Sequence, residues 1–172
     1  PEEATAEIIR ALANREPAIF DRLLPSQVEL EEIGFPDELL AQVRIQVTDA
    51  RKRFKSLSRE QKEVTPQTQW TAMLAGLPGI IPKSPDGATA DITAYDNVVA
   101  LTEAASGSGG QVFVGSLVRF GSVWRPLDLP QLSSGSGTMT ESLSIFSPKI
   151  DSVAFQAGAA SETLQPFLEQ LR

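Results

Sequence analysis

The chain has 172 residues, 41% apolar and 22% charged, a net charge of −7, and neither histidine nor cysteine. That is enough apolar material for one ordinary domain with a real core. The composition excludes thiol catalysis, disulfides and thiolate metal sites, removes the commonest general base, and disfavours nucleic-acid partners.

No apolar run nears the roughly 18 residues of a membrane span. The chain begins at Pro1, which reads as a processed protein or a piece of a longer one. Residues 2–15 predict an amphipathic helix, with Glu2 and Glu3 at its positive end and Ala4, Ile8, Ala11 and Leu12 on one face. Pro17 starts a second short helix that buries Ile19, Phe20, Leu23 and Leu24. Ser26 followed by Glu29 fits a capping box, so a third short helix runs to Gly34.

Pro36 to Leu57 carries the strongest periodicity. Leu40, Val43, Val47, Ala50, Phe54 and Leu57 form one apolar stripe, as expected of a helix packed on other elements. Charge is uneven around it: residues 1–38 hold ten acids and three bases, residues 39–63 seven bases and three acids. The basic segment Arg51–Arg59 reads as a solvated helix C-terminus facing the acidic N-terminal part. An anion or RNA site at Arg51–Lys55 is the sharper alternative, and apart from Phe54 of the stripe the segment lacks the interleaved aromatics such a site uses.

Ser58 with Gln61 predicts a helix restart, and Thr65-Pro66 a further helix to Ala75 whose apolar face is Trp70, Met73, Leu74 and Leu77. Gly76 to Gly87 reads as a loop between a helical and a strand half. Asp91 to Ala104 predicts a long strand, and Ser106 to Gly110 a flexible connection. Two alternating runs, Val112–Phe120 and Val123–Leu129, then meet at Gly121-Ser122, a dipeptide suited to a two-residue hairpin loop. Pro126 cannot donate a ladder bond, so the last strand belongs at an edge or at a bulge.

After Pro130 the composition turns linker-like. Ile145, Phe146, Val153 and Phe155 read as anchors of a tail along the domain surface, and Ser161 as the cap of a final short helix. The expected organisation is one α+β domain over 1–132 and a Gly/Ser-rich linker and tail over 133–172. In that domain N-terminal helices pack on a three- or four-stranded antiparallel meander, with the C-terminal tail extended.

No catalytic, cofactor or metal motif stands out, and none is expected. The Gly/Ser runs at 106–110 and 133–137 lack the ending of a phosphate loop. The stretch SPDGATAD at 84–91 has two acids without a calcium-loop pattern. Asp91, Asp96, Glu103 and Asp128 lie in strand regions and could supply paired carboxylates, with solvent-facing strand acids the ordinary reading. The sharpest constellation for acid–base chemistry is Tyr95-Asp96 near Asp128.

The segments YDNVVAL from Tyr95 and VGSLVRFGSVWRPLDLP from Val114 resemble the closing strands of bacterial cystatin-like or NTF2-like α+β domains. They are also similar to the region before a thioredoxin-like domain in some bacterial envelope proteins. The resemblance covers about residues 91–130, and its Gly and Trp mark a hairpin and a packed strand. It implies a non-catalytic accessory or protein-interaction domain of a larger bacterial protein, in the periplasm or cell envelope, beside a thiol-redox module. Its partner would be a protein or a neighbouring domain, not nucleic acid. The alternative it implies is a small NTF2-like ligand binder or enzyme, against which the missing histidine counts.

Overall fold

The computed structural model describes residues 1–83, 88, 90–132 and 145–146. Four helices come first: α1 (Glu2–Asn14), α2 (Pro17–Leu23), α3 (Gln27–Glu32) and α4 (Asp37–Glu60). Six strands follow: β1 (Gln69–Leu74), β2 (Gly79–Ile81), β3 (Ile92–Glu103), β4 (Gly109–Phe120), β5 (Val123–Pro126) and β6 (Gln131–Leu132). All pairings are antiparallel, in one curled sheet on which the helices pack. The fold is α+β.

Helix α1 is the inner one. Ala4, Ile8, Ile9, Ala11 and Leu12 are buried, and the helix touches β1, β3 and β5. It closes at Arg15, held left-handed at φ 58°, with the Glu16 N–H reaching back to the Ala11 carbonyl at 2.9 Å. Pro17 then opens α2, and the Ser26–Glu29 capping box opens α3 in both its hydrogen bonds. In α4 the predicted stripe is the packed one: Val43, Val47, Ala50 and Phe54 are buried, Leu40 and Leu57 half-buried. Phe54 stacks on Phe20 of α2 at 3.9 Å between centroids. The expected restart at Ser58 does not occur. Ser58 is buried, donates to the Lys55 carbonyl within the helix, and α4 runs through it to Glu60.

The helix expected from Thr65 to Ala75 is strand β1. A turn closed by Thr68 N–H on the Thr65 carbonyl ends before Gln69, and pairing with β3 then fixes an extended chain. Context outweighed the helical spacing of Trp70, Met73, Leu74 and Leu77, as it often does for half-exposed strands. Leu77 is consequently 96% exposed and Leu74 51%, while Trp70 and Met73 pack partly against the core. The predicted loop at 76–87 holds a short strand, β2, and the expected connection at 106–110 shrinks because Gly109 and Gly110 already pair with β3.

The hairpin at Gly121-Ser122 is as predicted. Phe120 pairs with Val123 across a two-residue loop, and Gly121 takes φ 58°. Pro126 ends β5 on the sheet edge. The strand expected to continue to Leu129 stops there, and pairing resumes only at Gln131.

Each side of the β3–β4 pair is therefore flanked by two short strands in succession, β1 with β2 and β5 with β6. Their breaks, at 75–78 and 127–130, face irregularities in the central strands. Register slips between Tyr95 and Val99 of β3, where Asn97 has φ 56°; opposite it, Gly115 of β4 has φ 87°. These bulges and breaks line up into one crease across the sheet. No helix among the described residues is long and apolar enough to cross a membrane. The expected tail helix, the linker, Val153, Phe155 and most of the 84–91 stretch lie outside the described residues.

Candidate functional site

The crease gathers two of the three residues singled out from sequence. Where β5 stops, the chain leaves β4, and the Leu127 N–H still reaches the Ser116 carbonyl at 3.1 Å. The Ser116 N–H takes the Asp128 Oδ2 at 2.7 Å as its acceptor. A side-chain carboxylate thus stands where a neighbouring strand would have supplied a carbonyl. Asp128 is only 4% exposed and Ser116 fully buried, so this N–H needs that acceptor.

Gly115 makes the approach possible. A Cβ added there would lie 2.3 Å from Asp128 Oδ2, on a backbone at φ 87° that side chains disfavour. From the helical layer, Gln46 of α4 donates through Nε2 to Asp128 Oδ1 at 3.4 Å.

Asp96 lies on the β3 side of the same point. Its Oδ1 accepts from Ser116 Oγ at 3.1 Å and from the Ile145 N–H at 3.2 Å, and its Oδ2 from the Phe146 N–H at 3.0 Å. Ser116 therefore joins the carboxylates, giving its N–H to one and its hydroxyl to the other. Both were expected to face solvent; Asp128 is buried and Asp96 half-buried, each carboxylate engaged within the chain. Tyr95 does not join them. It precedes Asp96 on the strand and so points away from it, with its ring against Trp124 at 5.1 Å.

Ser116 and Gln46 were not legible as members of this cluster. The one available signal was Gly115 inside an apolar strand run, which marks a bulge or a close backbone approach. Chemically the cluster accepts hydrogen bonds and ties α4, β3, β4, the β5–β6 connection and residues 145–146 to one point. Ser116 is fully buried, and its hydroxyl donates to a carboxylate.

A second polar assembly clamps the helices to β5. Arg125 donates to Glu29 Oε1 at 2.8 Å and to the Arg22 carbonyl at 2.8 Å. Burial alone would raise the Glu29 pKa; the Ser26 N–H and the Arg125 guanidinium outweigh it and hold the carboxyl below its ordinary value. Trp124-Arg125 is thus a packing and clamping pair. In the basic segment, Arg51 meets Asp21 and Arg53 meets Asp49, as on a solvated helix face.

A cleft of about 330 Å³ lies at the other end of the sheet, between Glu63, Thr68, Thr102, Gly110 and Leu132. Thr102 is six residues along β3 from Asp96, about 20 Å of strand. Among the described residues no three or more carboxylates come together in the way a metal site would need. No family model matches the chain, and no curated protein or solved structure matches it.

Proposed function

We propose that this chain is a non-catalytic accessory and protein-interaction domain of a larger bacterial protein. The observation that carries this reading is where the acids are used. Asp96 and Asp128 both accept main-chain N–H groups of their own chain, around a serine with no exposed surface. A general acid or base has to reach a substrate proton, and these two are occupied in holding segments together. Leu74 at the end of β1, Leu77 in the break that follows it and Ile80 of β2, all exposed, add an apolar edge of the kind partners cover. A bacterial envelope setting and a thiol-redox neighbour come with the cystatin-like or NTF2-like resemblance alone.

A second reading, a small-ligand binder, is favoured by the cleft beside Thr102, whose 330 Å³ sits at the small end of ligand sites. Thermal unfolding against a broad panel of metabolites and lipids separates the two. The accessory-domain reading expects one cooperative transition and no ligand-dependent rise in Tm. A rise that grows with ligand concentration overturns it.

A further inference from the structure

Residues 145–146 sit in a notch of definite chemistry. One edge of the Phe146 ring lies on Gly79 of β2, so closely that a Cβ there would fall 2.5 to 2.8 Å from three ring atoms. Beside it, the Asp96 carboxylate takes the N–H groups of two successive residues, one on each oxygen. Ile145 packs on the edge of the core. Phe146 keeps 39% of its surface exposed, so the contact is a surface one.

We propose that the Gly79–Asp96 notch is a peptide-docking site whose resident ligand is the chain's own Ile145–Phe146. The recognition has two parts. The carboxylate reads two successive backbone N–H groups without regard to side chain, and the bare glycine admits an aromatic ring after an aliphatic residue. The chemical class of ligand is therefore a short peptide with an aliphatic–aromatic pair. Any such peptide on a partner has to displace the resident segment, whose effective concentration is of millimolar order when tethered to its site. The inference deepens the interaction-domain reading and rests on it for a partner in trans; the contact within the chain does not depend on it.

Two variants of the full chain test the site. Gly79→Val fills the notch and leaves Asp96 in place. Phe146→Pro removes both the ring and one of the two N–H donors. In the unaltered chain, the Ile145 and Phe146 amides should exchange at least tenfold more slowly than in Gly79→Val, with Val118 of β4 equally protected in both. A synthetic peptide of residues 142–149 should produce saturable NMR shifts at Gly79 and Asp96 of Phe146→Pro. The unaltered chain should need at least tenfold more peptide, and the double variant should show no shifts.

Unprotected Ile145 and Phe146 amides in the unaltered chain, or protection untouched by Gly79→Val, overturn the proposal. So does peptide binding that is absent from Phe146→Pro or equal in both chains. A metabolite that raises Tm would refute the interaction-domain reading without altering any of these results, so the two failures are distinguishable.

Discussion

The contact between Gly115 and Asp128 can be tested by a double-mutant cycle. Asp128→Ala leaves the buried Ser116 N–H without the acceptor at 2.7 Å. An unsatisfied buried donor costs about 1–3 kcal/mol, so a loss of that size is expected. Gly115→Ala carries two costs. The first is about 1–3 kcal/mol for a side chain at φ 87°. The second arises because its Cβ would overlap Asp128 Oδ2 at 2.3 Å. The carboxylate must then leave, and the Ser116 acceptor is lost again. In the double variant that acceptor is lost once, not twice. The two single effects should therefore exceed the double by about 1–3 kcal/mol, beyond ordinary additivity error of about 0.5 kcal/mol. Urea unfolding followed by tryptophan fluorescence and far-UV circular dichroism measures all four corners. Effects that add within error would mean that the carboxylate is not held over Gly115, and the description of the crease would fail with it.

Arg15→Gly should stabilise the chain by up to about 1 kcal/mol, since a left-handed residue at φ 58° then carries no side chain; a lower urea midpoint would contradict this. Phe54→Ala, which empties the stack on Phe20, should cost about 3–5 kcal/mol in the same assay, and a loss under 1 kcal/mol would mean the rings are not packed. The lowered pKa of Glu29 gives a pH dependence with a definite sign. Its stabilisation is fully present above the unfolded value of about 4.3 and is lost as pH falls through the lower folded value. Glu29→Gln keeps the capping geometry and should therefore be less stable than the unaltered chain at pH 7, with the gap closing below about pH 4. A gap that widens on acidification would reverse the assignment.

The helical layer was legible because its signals are local. The α4 stripe, Pro17 and the Ser26–Glu29 capping box each depend on neighbours within four residues. The β4–β5 hairpin was legible for the same reason, from Gly121-Ser122. Strand β1 was not. It lies at an edge and is exposed or half-exposed at every position, so its apolar residues fell into helical spacing by accident. The crease was invisible because a bulge is a property of two strands in register, and register is set by tertiary pairing. Asp96 and Asp128 could be picked out as acids in strand regions. Their meeting depends on Ser116, an unremarkable residue in an apolar run, and on slips at Tyr95 and Val98 that no single segment encodes.

The crease also bears on how much open sheet edge the fold offers to a second extended chain. A sheet edge is a row of unpaired amides that a second extended chain can copy, and the hazard grows with its straight length. Here the breaks at 75–78 and 127–130 divide both outer rows, leaving pieces of six and three residues on one side and four and two on the other. Pro126 withholds an N–H at the end of one of them. The irregularity that lets Asp96 and Asp128 bind the sheet together thus also denies an intruding strand a template long enough to propagate.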